Sequence, residues 1–367
     1  MKNIEIIIPY YNDREHIGDA LASIYFQTVR NEIHVTVVDD CSEKKCDDII
    51  TKFAELGLDI SLLRLNENSG PAVARQFAID VTDSPYIMFV DSDDTLYSPL
   101  SVAQLKTAIE SNETFVCVWS DFLSQERYYE RHHERVTWLF GKIYKRSFLI
   151  DEGIRLDDCV NKRGNEDVMF NTKVKIVSYM SNGKYQIGTT DNVTYCWNYN
   201  ENSITRESKH HFHFDQSYCS FVDNAIGLIE WAENRYGELT QEKIIVDFFV
   251  VMYFMFYDML NAAPMFAKQN EWYIRKFYNK VIRRYENILT TKSLAEAYAV
   301  SVADNTKTWI DRGFLPSKGI IDFLNALKDF DENEIHDIWR EMAKDPETLE
   351  LMKLNVKRKL MPDNYWV

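Results

Sequence analysis

The stretch 86-YIMFVDSDDTL-96 decides how this chain is read. Tyr86 to Val90 is a short apolar run with the length and β-rich composition of a buried strand, and it ends abruptly in Asp91, Asp93 and Asp94, broken only by Ser92. Side chains alternate across a strand, so Asp91 and Asp93 are expected on one side and Ser92 on the other if the extended conformation persists. Two carboxylates facing one small volume repel, and a divalent cation or a retained proton relieves the repulsion. A hard cation on oxygen ligands at the carboxyl end of an α/β strand points to phosphate chemistry. The plain alternative is a solvated acidic turn, because Asp and Ser also favour turns.

Working outward, Ile4 to Pro9 is a continuous apolar strand, and Asn12 and Asp13 are candidate caps for a helix whose Ile17, Leu21 and Ile24 recur at helical spacing. His34 to Val38 is a second strand ending in Asp39 and Asp40, Asp47 to Leu56 a second helix, and Ser61 to Leu65 a third strand. The turn Asn66 to Gly70 follows, with Pro71 placed to begin a helix through Val81. Strands and helices alternating at this length predict an α/β fold, a mostly parallel sheet flanked by helices, with ligands beyond the carboxyl ends of the strands. After Ser98 the pattern loosens into a helix near Ser101 to Ser111, a strand at Phe115 to Trp119, a basic aromatic segment from Trp138 to Asp151, a helix opening at Arg163 to Phe170, and a strand at Val193 to Tyr199. From His210 onward apolar residues recur at helical spacing. This predicts an α/β domain over 1–207 and an all-α domain over 208–367, the latter for binding or oligomerisation.

The chain has 367 residues and a formal net charge of -15, which excludes a surface that coats nucleic acid or anionic membrane throughout. Six cysteines, none in a CxxC pair, make no disulfide framework. No secretory signal is visible, so a reduced, cytoplasmic setting is expected. The apolar run Ile244 to Leu260 is interrupted by Asp247 and Asp258 and is read as a buried helix rather than a membrane span, with Phe248 to Tyr257 available to a second chain in a homo-oligomer.

Seven segments carry a likeness. IIIPYYN at Ile6 to Asn12, VTVVDDCS at Val35 to Ser42, NSGPAVARQFAI at Asn68 to Ile79, YIMFVDSDD at Tyr86 to Asp94, GKIYKRSFL at Gly141 to Leu149, NED at Asn165 to Asp167 and NENSIT at Asn200 to Thr205 together resemble the family-2 glycosyltransferases of the GT-A fold. The resemblance covers about residues 3 to 206. It implies an inverting, metal-dependent transferase with a nucleotide-sugar donor, UDP-sugar by the family's leaning, lying along the sheet edge. Pro9, Tyr11, Asp39, Arg75, Asp91, Ser92 and Asp94 map to the donor side. Tyr11 can stack on the base, and Asp39 can accept from a base N–H or ribose hydroxyls. The family's acidic metal motif, of DXD type, maps onto Asp91, Ser92 and Asp93, with Asp93 the direct ligand of Mn²⁺ or Mg²⁺ and Asp91 beside it. Asp94 is expected to hold the donor sugar or to orient the loop. The family's base maps onto Asp167, with Glu166 expected on acceptor or donor hydroxyls; the competing reading of both is an acidic first helical turn.

Departures from the pattern matter. Where the family often has histidine near the metal, this chain has Asn200, Glu201 and Asn202, which makes Glu201 a candidate oxygen ligand. Gln76 and Ala78 stand where Asn and Gly are usual. His210, His211 and His213 read as a polar linker, and His132 and His133 as part of an exposed charged loop over the cleft. Aromatic residues interleave with lysine and arginine in Trp138 to Arg146 and Trp272 to Tyr285, a face suited to an anionic glycan, a polyol phosphate or DNA with a hydroxylated base as hydroxyl acceptor. The alternatives to a transferase acting on a saccharide or cell-surface polymer are transfer to such a DNA base, a non-catalytic sugar-nucleotide-binding scaffold, and a nucleotidyltransferase. The last normally shows a Gly-rich basic loop that PYYND lacks.

Overall fold

The computed structural model describes residues 2–125, 129–132, 138–158, 165–200 and 211–241, with isolated positions between 244 and 288. The chain divides into two compact units, Met1–Ser203 and Ile204–Val367.

The first unit begins with the expected alternation: β1 (Ile4–Tyr10), α1 (Ile17–Tyr25), β2 (Ile33–Asp39), α2 (Asp47–Glu55), β3 (Ile60–Arg64), α3 (Pro71–Val81) and β4 (Tyr86–Phe89). β1 pairs in parallel with β2 and β4, and β2 with β3, so the carboxyl ends of all four strands reach one edge. Then come β5 (Thr95–Leu96), α4 (Ser101–Glu110), β6 (Phe115–Gln125), β7 (Tyr129–His132), β8 (Lys142–Lys145), α5 (Arg146–Asp151), α6 (Glu166–Met180) and β9 (Gln186–Trp197). They extend the sheet in the order β3-β2-β1-β4-β8-β6-β9-β5, with β7 paired to β6. β8 runs antiparallel to both neighbours, and β9 is parallel to β6 but antiparallel to β5. The sheet is therefore parallel in its first half and mixed in its second, because past β4 the strands are no longer each joined by a helical crossover.

The core follows from the sequence periods. Ile4, Ile6, Ile7 and Ile8 of β1 are fully buried, as a strand covered on both faces requires. α1 buries Ile17, Ala20, Leu21 and Ile24, the three-and-four spacing of a single helix face. His132, expected on an exposed loop, closes β7: its ring stacks on Phe122 at 4.8 Å and 19°, and its Nε2 lies 2.8 Å from Ser124 Oγ.

In the second unit α7 (His211–Tyr236) buries Phe221, Val222, Ala225, Leu228, Ile229 and Ala232. His211 and His213 thus belong to the first turn of a helix rather than to a linker. Tyr285 donates to Glu233 Oε1 at 2.6 Å. The oligomerisation run Phe248 to Tyr257, His133, His210, Glu201 and most of Trp272 to Tyr285 lie outside the described residues. No helix among the described residues is long and apolar enough to cross a membrane.

One polar knot lies near the amino end of the sheet. Glu5 is 1% exposed and accepts from Thr36 Oγ1 at 2.6 Å and Thr82 Oγ1 at 2.7 Å, while His34 Nδ1 lies 2.9 Å from its carboxylate and His34 Nε2 2.9 Å from Ser61 Oγ. The hydrogen bond to Glu5 raises the His34 pKa, outweighing desolvation, which alone would lower it. A raised folded-state pKa contributes stability that is complete below the unfolded value and disappears as pH climbs through the folded one. Urea melts of the native chain are therefore expected to lose stability from pH 6 to pH 8.5, and His34→Gln to flatten that slope; equal slopes in the two proteins would remove His34 as its source.

Candidate active site

The site grows from the end of β4. The chain leaves extended conformation after Phe89, and residues 91–94 form a turn in which each side chain is held from a different direction. Asp91 Oδ1 accepts from Arg75 Nη2 at 2.6 Å, and Arg75 Nη1 donates to Glu166 Oε1 at 3.1 Å. Arg75 is 7% exposed, and its Nε has no hydrogen-bond partner among the described residues. Burial works against this guanidinium, but Asp91 and Glu166 outweigh it and raise its pKa. The charge is permanent.

α3 carries Arg75 to this place. Its first turn is fixed by Asp40, whose two oxygens accept from Ser69 N at 2.7 Å and Gly70 N at 2.8 Å, and Gly70 has φ 87, a left-handed value that glycine adopts without strain. Gln76, the departure noted in the sequence, is buried, and its Oε1 accepts from Leu156 N at 2.9 Å, which ties the following segment to the helix.

Asp93 Oδ2 accepts from Asn200 Nδ2 at 2.8 Å. Burial first, and the charge of Asp91 second, raise the Asp93 pKa. Asp94 is 1% exposed and turns inward, with Oδ2 accepting from Tyr195 Oη at 2.7 Å and Oδ1 from Asn198 N at 2.7 Å. Its pKa is raised too, again mainly by burial. Ser92 Oγ donates to Asp13 Oδ2 at 2.7 Å. The strand-alternation picture of Asp91 and Asp93 is corrected accordingly: like charge still couples them, but the turn, not a pleat, brings them together. The capping role expected of Asn12 and Asp13 is also corrected. His16 occupies the cap position of α1, and Asn12 Oδ1 instead accepts from Glu43 N and Lys44 N at 2.8 and 2.9 Å.

On the nucleotide side, Asp39 at the end of β2 is fully buried, accepting from Ser42 N at 2.8 Å and from Lys45 Nζ and Arg64 Nε at 3.1 Å each. Burial alone would raise its pKa, yet the donors Ser42, Lys45 and Arg64 together lower it. Pro9 pairs with Val38 across the parallel ladder, and Tyr11, just beyond β1, is 51% exposed and presents a ring to solvent.

Asp167 is the second residue of α6, after Asn165 at φ 62. Its Oδ1 accepts from Val168 N at 2.8 Å. Protein atoms surround the carboxyl although the residue keeps some exposure, and burial, reinforced by Glu166, pushes its pKa up to about 8. One turn later Asn171 accepts from Tyr144 Oη at 2.7 Å and donates to Trp138 O at 2.8 Å, anchoring the helix to β8 and the segment before it. Glu166, expected on substrate hydroxyls, is buried and paired with Arg75. The structure thus gathers Arg75, Asp91, Glu166 and Asp167 on one side and Ser92, Asp93, Asp94 on the adjoining turn.

A hard divalent cation fits this donor set. The second oxygens of Asp91 and Asp93 accept no hydrogen bond among the described residues, and the charge of Asp91 adds to burial in raising the Asp93 pKa, a repulsion that a cation would offset. Among the described residues no group of three or more His, Cys, Asp and Glu is arranged to hold a metal alone. The protein would supply one or two carboxylates and the substrate's phosphate oxygens the rest, the manner in which Mg²⁺ is usually bound with phosphates. Sequence reading missed Tyr195 and Asn198 as partners of the acidic turn, and placed Asn200 near the metal motif while naming Glu201 as the candidate there; the signal, an aromatic strand end followed by two asparagines in YCWNYN, carries no distinctive spacing.

Residues 5–168 match the model of the family described as Glycosyl transferase family 2. The chain is 35% identical over 96 residues to the poly(ribitol-phosphate) beta-N-acetylglucosaminyltransferase TarS of Staphylococcus aureus, covering 26% of this chain and 17% of that one. It is 30% identical over 152 residues to the teichoic acid poly(glycerol phosphate) polymerase of Staphylococcus epidermidis, covering 41% and 21% respectively. The chain spans less than half the length of the curated relatives it matches. Among solved structures it superposes on S. aureus TarS 1-349 in complex with UDP-GlcNAc with a TM-score of 0.65 at 17% identity, over 99% of this chain and 93% of that one, which shows a shared GT-A fold.

Removing the Arg75 side chain leaves Glu166 buried without its cation and Asp91 without a partner. Breaking a buried ion pair from one side costs about 3 kcal/mol or more. Arg75→Ala is expected to lose about that much in a urea melt at pH 7; a loss under about 1 kcal/mol would show that the bridge contributes little.

Proposed function

We propose that this chain, whose residues 5–168 match the model of glycosyl transferase family 2, transfers a sugar from a UDP-sugar to a hydroxyl of a polyol-phosphate polymer of the teichoic-acid kind, with inversion at the anomeric carbon. The observation that carries this reading is the single buried Arg75 that joins Asp91, on the acidic turn, to Glu166, beside Asp167. One cation thereby sets the diphosphate side and the base side of a displacement at a fixed separation. The relatives named for poly(ribitol phosphate) and poly(glycerol phosphate) support the acceptor class, and the solved TarS complex with UDP-GlcNAc supports the donor class.

In this reading Tyr11 stacks on the uracil, and Pro9 and Asp39 shape the nucleotide end. Asp93 and Asp91 would hold Mn²⁺ or Mg²⁺, which when bound neutralises charge on the departing diphosphate. Asp94 orients the turn. Asp167 takes the proton of the acceptor hydroxyl as that oxygen bonds to the anomeric carbon and the bond from that carbon to the UDP oxygen breaks. No covalent intermediate is needed. A carboxylate raised to about 8 suits this role, since a base works best with its pKa near the operating pH. Glu166 does not share the proton; it holds Arg75.

Incubation with a panel of UDP-sugars, Mn²⁺ and poly(ribitol phosphate) or poly(glycerol phosphate) is expected to release UDP with one donor above the level without polymer. No release with any donor would sink the proposal. Asp167→Asn should lower kcat by about 10³-fold while UDP binding, followed by thermal shift, stays within twofold. Because the base must be ionised and its pKa is raised, kcat/KM of the native chain should climb with pH through neutrality and level off above about 8. A profile flat from pH 6 to 9 would exclude Asp167 as the base.

A further inference from the structure

The end of β9 grips every acid of the 91–94 turn. Tyr195 Oη donates to Asp94 Oδ2 at 2.7 Å and accepts from Asp91 N at 3.1 Å. Asn198 donates its backbone N to Asp94 Oδ1 at 2.7 Å and its Nδ2 to Asp93 O at 3.1 Å. Asn200 Nδ2 donates to Asp93 Oδ2 at 2.8 Å. The strand from which Asn198 and Asn200 emerge, and to which Tyr195 belongs, is itself rigidly placed. Tyr195 is 1% exposed, its ring stacks on Phe140 at 4.5 Å and 3°, and its backbone lies between Phe122 of β6 and Leu96 of β5. β5, directly after the turn, is thus fastened to the same strand.

We propose that Tyr195, Asn198 and Asn200 are positioning residues for the proposed metal and diphosphate site, holding the backbone from which Asp91 and Asp93 project and fixing which oxygen of Asp93 remains open. This rests on the reading of the turn given above. The physical reason is orientation. A carboxylate on a free turn samples many rotamers, and a ligand must first order it. A hydrogen bond to Asp93 Oδ2 leaves Oδ1 as the open position, and the two bonds to Asp94 turn that third acid inward, away from competition for the cation. Partners of this kind behind metal ligands typically change affinity by about 10- to 100-fold. A role confined to packing would make a different mark. It would lower the melting temperature and leave the metal dependence alone.

The test uses Tyr195→Phe, which keeps the ring against Phe140 and removes only the hydroxyl, and Asn200→Ala, which removes the amide that donates to Asp93 Oδ2. Free Mn²⁺ is titrated by electron paramagnetic resonance with the full chain and saturating UDP. Both variants are expected to raise the Mn²⁺ dissociation constant about tenfold, with UDP release recovering at high Mn²⁺. Asn200→Ala decides the matter if Tyr195→Phe does not fold. Dissociation constants within twofold of the native chain would overturn the proposal, as would a native chain that binds no Mn²⁺ in the presence of UDP. Mn²⁺ binding that weakens in the variants while the native chain transfers no sugar to any polymer would support the clamp and instead contradict the transferase reading.

Discussion

A buried guanidinium between two carboxylates organises this site. Arg75 bonds to Asp91 at the end of β4 and to Glu166 at the start of α6, segments 75 residues apart in sequence that no strand pairing joins directly. Two charges taken from water are costly unless geometry and further hydrogen bonds compensate, so such a bridge is a poor route to stability alone. What it does is fix a relation. The turn of acids and the helix that carries Asp167 cannot move independently while the bridge holds.

Within that frame, environment separates the acids into different protonation behaviours. Asp39, fully buried, stays below the usual carboxylate range because Ser42, Lys45 and Arg64 donate to it. Asp93 and Asp94 are pushed up by burial and by the charge of Asp91, and Asp167 by burial and Glu166. Chemically identical side chains thus acquire different proton affinities, which on the proposed reading suits them to serve as an anchor, a cation ligand and a proton acceptor. Asp94 carries the contrast furthest: it sits in the acidic run, yet its oxygens face Tyr195 and Asn198.

Much of the first unit was legible in the sequence because its signals are local. The helix of α3 runs from Pro71 to Val81 as its proline and its spacing predict, and the first four strands end at one edge because a helix joins each of them to the next. The second half was harder. β7 and β8 are four residues each and gain their strand state from β6, so His132 reads as loop until its partner is known. In the site, the acids were visible by type but their partners were not. Asn12 and Asp13 sit where caps belong, yet long-range donors at Glu43, Lys44 and Ser92 claim their oxygens. Glu166 reads as a first-turn acid until Arg75, 91 positions earlier, is placed against it.

The central claim is that Asp93 and Asp167 serve opposite sides of one displaced bond. A crystal of the chain grown with Mn²⁺ and a non-hydrolysable UDP-sugar, with diffraction recorded at the manganese edge, tests it directly. The account predicts an anomalous peak shared by Asp93 and the diphosphate, with the Asp167 carboxyl facing the anomeric carbon from the side away from the diphosphate. Manganese bound away from Asp93, or a sugar whose anomeric carbon faces away from Asp167, would contradict it.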